Sequence, residues 1–145
     1  MRLQMATRHA LFAVLELAAR PDQYLSASEI ADKYDISPNH LAKVLRSLGR
    51  EGLVDATRGV GGGYRFAANA KRLTLLEVIR IFEDIGAKGE GEAGDDTAEG
   101  QALRRVLDEI DDTAFATLSS ISIDTMLKLI ARTGAKRAAA AKMRA

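Results

Sequence analysis

The sequence predicts a mainly α-helical fold that carries one small β-hairpin, and three features predict it. Apolar residues recur at helical spacing through much of the chain of 145 residues. Two capping boxes, Ser26–Glu29 and Thr74–Glu77, mark helix starts. Between them, the run LVDATRGVGGGYRF at 53–66 sets two short β-compatible segments, 53–57 and 64–66, around a tip of glycines. A glycine-rich hairpin straight after two short helical patterns is the element order of a winged helix-turn-helix.

Taken in order, the first helix is expected over Met5–Arg20. Leu11, Val14, Leu15 and Ala18 form its apolar stripe, Phe12 widens it, and Pro21-Asp22 ends it. Thr7 and Arg8 lie near its N-terminus, where free backbone N–H groups can bind phosphate; an ordinary capping role for Thr7 is an equal alternative. Ser26, with Glu29, opens a short helix that turns Ile30 and Ala31 inward and ends near Tyr34. Ser28 sits in its first turn. Ser37 then caps a further helix with Pro38 at the first helical position, where a missing N–H costs nothing. Leu41, Val44, Leu45 and Leu48 give that helix one apolar stripe, and either Gly52 or Gly49 closes it.

Two short helices joined by about three residues form a helix-turn-helix, whose second helix enters the major groove of DNA by its N-terminal end. Ser37, Asn39, His40, Lys43 and Arg46 fall mostly off the apolar stripe and supply the candidate contacts. Asn pairs bidentately with adenine, and Lys reaches guanine O6 and N7. In the hairpin, Arg58 and Gly59 lie at the tip, and Tyr64 and Arg65 follow it. A plain solvated helix face explains the polar residues less well once the hairpin follows at once.

After a polar link at 69–72, Thr74 opens a helix to about Glu83 that is apolar on most sides, so it must pack on two sides or against another subunit. Residues 86–100, rich in glycine and acids, read as a flexible loop. From Thr97 or Ala98 to Leu118 a long helix is expected, with Leu103, Val106, Leu107, Ile110, Phe115 and Leu118 apolar. Its stripe is long for the small core available and calls for a second chain. A last helix from Ser122 carries Met126, Leu127 and Ile130, with Gly134 as its end. The tail at 135–145 is basic and frayed, or extended by its alanines.

Composition sets the limits. The net charge of +1 conceals a polarity: residues 1–73 carry 11 Lys/Arg against 7 Asp/Glu, residues 74–133 carry 6 against 13, and residues 134–145 carry 4 against none. A basic first part suits a polyanion. No apolar run approaches the roughly 18 residues of a membrane span, and MRLQMATRHA lacks the features of a signal peptide. A cytoplasmic protein without a membrane partner is expected. The chain has no cysteine, which excludes disulfides, thiol nucleophiles and cysteine-ligated zinc or iron–sulfur centres. His9 and His40 are the only histidines and lack metal-ligand spacing, so no cofactor and no metal are expected.

The run SASEIADKYDISPNHLAKVLRSLGREGLV, the hairpin TRGVGGGYRF, the N-terminal MRL with Arg8-His9-Ala10, and the segment ISIDTMLKLI together resemble the Rrf-two (Rrf2) family of bacterial winged-helix regulators, of the IscR, NsrR and CymR types. The hairpin after GLV is the specific part. The resemblance covers most of residues 1–133. It implies a homodimeric transcriptional regulator, in the main a repressor on a palindromic operator, with the long helix packed across the partner. Matched position by position, the family's DNA contacts fall on Ser37, Asn39, His40 and Lys43 in the helix and on Arg58 and Gly59 in the wing, with Arg58 in the minor groove. Tyr64 matches a tyrosine that touches phosphate. Ala42 stands where some relatives carry glutamate, so the resemblance leaves the preferred base sequence open. Iron–sulfur members carry three cysteines in the segment that is 86–100 here; none is present, so the signal is expected from a small-molecule or protein effector.

The expected organisation is a DNA-binding domain at 1–73, dimerisation and sensing helices at 74–133, and a basic tail at 134–145. Two other functions compete. A winged helix can serve protein contact, but the cations Lys43, Arg46, Arg58 and Arg65 favour nucleic acid. A nucleotide-dependent enzyme using Gly59–Gly63 as a phosphate loop needs a helix after the glycines, whereas the strand-like Tyr64-Arg65-Phe66 follows, and no nucleophile–base pair stands out. The chain is read as a non-enzyme.

Overall fold

Helix α1 (Met5–Ala19) is the element around which the others are packed; it packs against the second, third, fourth and last helices and against the second strand. The computed structural model describes residues 1–86 and 91–145. Helices α2 (Ala27–Tyr34) and α3 (Pro38–Arg50) follow, then the antiparallel hairpin β1 (Val54–Thr57) and β2 (Gly63–Phe66), helix α4 (Leu75–Ile79), and two long helices, α5 (Ala98–Ser120) and α6 (Ile123–Arg144). The protein is a winged helix-turn-helix with a long helical extension.

Local chemistry sets most boundaries. Ser26 accepts from the Glu29 N–H while the Glu29 carboxylate accepts from the Ser26 N–H, and Thr74 and Glu77 make the same reciprocal pair. Pro38 starts α3 behind the Ser37 cap. Gly52, at φ +76°, takes the left-handed turn beyond the end of α3, so Gly52 rather than Gly49 closes it. Asp35, at φ 54°, makes the corresponding turn between α2 and α3.

The core joins α1, α2, α3, the hairpin and the start of α6. Ala10, Ala13, Val14 and Leu17 of α1 are fully enclosed, against Leu41, Leu45 and Leu48 of α3. The buried face of α1 is therefore turned from the expected stripe: Leu11 and Leu15 are only half-buried, and small alanines occupy the tightest positions. Their lack of bulk lets neighbouring elements approach on more than one side. Ile123 is equally enclosed, and its N–H donates to the Leu73 carbonyl at 2.8 Å, while the Leu75 N–H donates to Ile121 at 2.9 Å. The first core thus extends past residue 73 to Val78 and Ile123.

Two further expectations are corrected, and the start of the long helix falls at Thr97–Ala98 as expected. Helix α4 stops at Ile79 instead of near Glu83; tight turns over 80–82 redirect the chain and deliver the Glu83 carboxylate to α1. Gly134 does not end α6, which runs on to Arg144: one interior glycine costs only about 1 kcal/mol against alanine, and alanines and long basic residues on its C-terminal side favour helix. The loop of 86–100 ends at Thr97, which caps α5 by accepting from the Gly100 N–H at 3.0 Å; Arg104 pairs with Asp95 to hold the turn before it. The flexibility expected for this loop falls in part on residues 87–90, which lie outside the described residues.

One side-chain cluster and one backbone pairing tie the helix-turn-helix together. The Glu16 carboxylate, little exposed, accepts from Arg20 at 3.1 Å and from Lys33 and the Tyr34 hydroxyl, and Tyr34 stacks on Phe12 with ring centroids 4.6 Å apart. The N–H and carbonyl of Leu25 pair with those of Tyr64, both at 2.8 Å, which fastens the hairpin to the segment leading into α2. That pairing brings the Leu25 carbonyl against Gly63, where an added Cβ would lie 2.5 Å from the oxygen, and Gly63 has φ +139°.

Gly63→Ala is expected to lower the unfolding free energy by about 1–3 kcal/mol and to loosen the hairpin; denaturant unfolding with amide exchange at Leu25 and Tyr64 measures both. For Glu16, burial raises the carboxyl pKa, but the donors Lys33, Tyr34 and Arg20 outweigh it and hold it below the usual range. A depressed carboxyl stabilises the fold above its unfolded pKa and loses that contribution as pH falls through the folded value. Glu16→Gln should therefore destabilise by about 1–3 kcal/mol at pH 7, with the gap to wild type closing towards pH 3 in thermal melts.

Candidate nucleic-acid interface

Helix α3 is divided cleanly between core and solvent. Leu41, Val44, Leu45 and Leu48 are buried; Asn39, His40, Lys43 and Arg46 are exposed, and so is the Ser37 cap. The Ser37 hydroxyl accepts from the His40 N–H at 3.5 Å, a long contact that leaves its own hydrogen free. Polar side chains thus project from the N-terminal half of the helix, whose partial positive charge favours anions. Among the described residues, Lys43, Arg46 and Arg58 are in no ion pair.

The hairpin adjoins α3 through β1. Its register, Thr57 opposite Gly63 and Val54 opposite Phe66, leaves residues 58–62 as the tip. Arg58, Gly59 and Val60 are exposed there, and Gly59 and Gly61 have φ of +97° and +77°. Tyr64 is half-buried, its backbone joined to Leu25. Arg65 differs from Arg58: it lies 3.7 Å from Asp55 and over the Tyr24 ring at 4.9 Å, so its guanidinium already has partners. Ser28 is exposed at the start of α2, and the hydroxyl oxygen of Ser26 is engaged in the capping box.

The N-terminus of α1 departs from expectation. Thr7 is fully buried, and its hydroxyl donates to the Glu83 carboxylate, which also accepts from the Gln4 N–H at 2.9 Å. Gln4, not Thr7, stands at the N-cap position, and its side chain makes no capping hydrogen bond. An internal carboxylate occupies the place a phosphate would take, so the structure turns Thr7 away from a DNA contact. Arg8 remains exposed, 5.6 Å over Phe12. Sequence reasoning also passed over His9. Its ring meets that of His40 edge to face, centroids 5.0 Å apart, although 31 positions separate them. No local pattern signals a contact made by packing α1 on α3.

Comparison with known proteins agrees with this geometry. The model of the Rrf2 family, described as an iron-dependent transcriptional regulator, matches residues 3–129. The chain belongs to the Rrf2 family. It is 58% identical over 130 residues to BadM of Rhodopseudomonas palustris, described as an HTH-type transcriptional regulator, covering 90% of this chain and 83% of that one. It is 40% identical over 85 residues to the HTH-type transcriptional regulator NsrR of Bacillus subtilis, 58% of each chain. Its fold is similar to that of CymR, the global cysteine regulator of B. subtilis, with a TM-score of 0.76, 25% identity, and coverage of 89% and 98%. It also matches the fold of T. potens IscR, with a TM-score of 0.72 at 22% identity, covering 88% and 87%. This Rrf2 protein is thus grouped with transcriptional regulators rather than enzymes.

The iron in the family's description does not fit the residues present. There is no cysteine to supply thiolate, and among the described residues no three His, Asp or Glu side chains converge as a metal site. No step is assigned to a metal in this member of the Rrf2 family.

Thr7→Val keeps the volume of the side chain and removes its hydroxyl. It should cost about 1 kcal/mol of stability by removing one of the two hydrogen bonds that hold Glu83. A phosphate contact would instead leave thermal stability unchanged and weaken DNA binding alone; melts and gel shifts on the same variant separate the two.

Proposed function

We propose that this protein is a homodimeric, sequence-specific DNA-binding repressor that acts on a palindromic operator in the cytoplasm. The observation that carries the reading is the division of α3: a helix buried along one side presents Ser37, Asn39, His40, Lys43 and Arg46 on the other, with the adjoining hairpin bearing at its tip Arg58, which is in no ion pair among the described residues. In this reading α3 lies in the major groove, where Asn39 reads adenine and Lys43 reads guanine or holds phosphate. Arg58 enters the minor groove, whose narrow A·T-rich form attracts arginine, and Gly59 lets the backbone approach. Tyr64, Ser26, Ser28 and Arg8 lie on the flanking elements as phosphate contacts.

The long helix supports the dimer. Leu103, Val106, Leu107 and Ile110 of α5 are 51–60% exposed at i, i+3, i+4, i+7 spacing, and none of its residues is buried. Such a stripe needs a second surface, and a second copy of α5 supplies one. Two protomers related by a two-fold axis then match a palindrome. The signal comes from a small molecule or a protein, since the chain's donor set does not suit a cluster.

Footprinting on the promoter upstream of the protein's own gene tests the reading. Wild type should protect a palindrome with affinity falling steeply as salt rises, and Arg58→Ala should weaken binding there about tenfold or more. Wild-type binding by Arg58→Ala, together with no salt-sensitive binding to any palindromic site, would overturn it.

A further inference from the structure

Helix α6 joins the core of its own chain at its start, through Ile123 and Leu127, and from Lys128 onward every residue is exposed. The exposed length is nevertheless patterned. Leu129, Thr133, Lys136, Ala140 and Met143 follow the alternating four- and three-residue spacing of a helix–helix seam. Ile130, Arg137 and Arg144 each follow a seam residue by one position and so line one flank of it. A seam of this kind needs a second surface, and a lysine within it needs that surface to be acidic. We propose that the C-terminal half of α6 docks on α5 of a second copy of this chain, where a run of acids follows the apolar stripe. The inference rests on the proposed homodimer and adds a second contact to it.

Charge complementarity selects the occupant. Residues 131–145 carry five Lys/Arg and no acid, whereas residues 106–112 of α5 carry Asp108, Glu109, Asp111 and Asp112 and no base. Asp111 and Asp112 come directly after Ile110, the last member of the exposed apolar stripe. Both are exposed, as are Lys136 and Arg137, and none of the four is in an ion pair among the described residues. The two surfaces are thus opposite in sign, and each carries apolar side chains beside its charges. A DNA backbone would satisfy the bases alone and leave Leu129 and Met143, both in the seam, facing water. Because the acids lie past the stripe, the contact does not compete with the pairing of the two α5 helices. A two-fold axis makes it twice, so that each α5 carries its partner's α6 beside it. Exposed ion pairs are individually weak; repetition and the apolar seam give the contact its strength.

The test uses the full chain, with self-association measured by sedimentation equilibrium from low to high salt. Wild type should dimerise less tightly as salt rises, because charges at the surface are screened. Lys136→Glu with Arg137→Glu reverses the basic side, and Asp111→Lys with Asp112→Lys reverses the acidic side. Each double variant should dimerise about tenfold more weakly or worse, since every attractive pair becomes a repulsive one and each occurs twice. Mixed one to one, the two variants should dimerise more tightly than either alone, because both contacts of the mixed dimer again join opposite charges. A contact within one chain cannot give that recovery. Lys71→Glu with Arg72→Glu, an equal charge change at another surface, should give none when mixed with the acidic-side variant. Salt-insensitive dimerisation unchanged in both double variants overturns this inference and leaves the homodimer standing, as does equal recovery with the Lys71 and Arg72 variant. Lost DNA affinity with intact dimerisation in Lys136→Glu, Arg137→Glu assigns the basic face to DNA and overturns it too. A chain that stays monomeric in every condition overturns both readings.

Discussion

The enclosure of α1 is the constraint on which the rest of the structure depends. A helix buried on several sides must be small where its neighbours come closest, and Ala10 and Ala13 meet that need with no exposed surface. Once α1 is placed, α3 has a wall on which to set its leucines, and the polar half of α3 has only one direction left to face. The start of α6 closes the other side through Ile123. The orientation of the candidate reading helix is therefore decided by side chains that never approach DNA.

Polar anchors complete what the apolar core leaves loose. Glu16 joins α1 to α2 through Lys33 and Tyr34, and Glu83 joins the end of the α4 segment to the start of α1. The second accepts the Gln4 N–H at the helix start from 79 positions away, and the Thr7 hydroxyl with it. It satisfies a free helix N-terminus and stations a negative charge at the positive pole of α1. It also makes the segment leading into residues 86–100 continuous, through hydrogen bonds, with the helix that supports α3. A change in that segment has a short physical route to the candidate interface.

The parts of this fold that were legible in the sequence are those specified by neighbours in the chain. Ser26 with Glu29, Ser37 with Pro38, Thr74 with Glu77 and the glycine tip each carry their own geometry, and the structure forms all of them where expected. The winged helix-turn-helix and the exposed α3 residues followed from these. What stayed hidden depends on tertiary packing. The face of α1 was read one position off because alanine carries little hydrophobic signal, yet alanine is what the tightest contact selects. Thr7 looked like a surface cap until Glu83 arrived from another element. The contact of His9 with His40, and the commitment of Arg65 to Asp55 and Tyr24, likewise arise from elements far apart in the chain. Helix α6 ran through Gly134 because a single glycine is a weak stop without a partner to cap the turn.

The pairing of Leu25 with Tyr64 has a consequence for measurement. It binds the wing to the strand-like segment that leads into α2, and α2 is bound to α3, so wing tip and reading helix belong to one stiff frame. A frame of that kind has a fixed span. In the docking proposed above, such a frame would work as a caliper, with one jaw in the wide groove and the other in the narrow groove beside it. Sequences differ in how far apart those grooves sit and in how readily they flex to fit. A rigid gauge converts that difference into binding energy at base pairs that no side chain touches, and the glycine at 63 is what lets the gauge be assembled without slack.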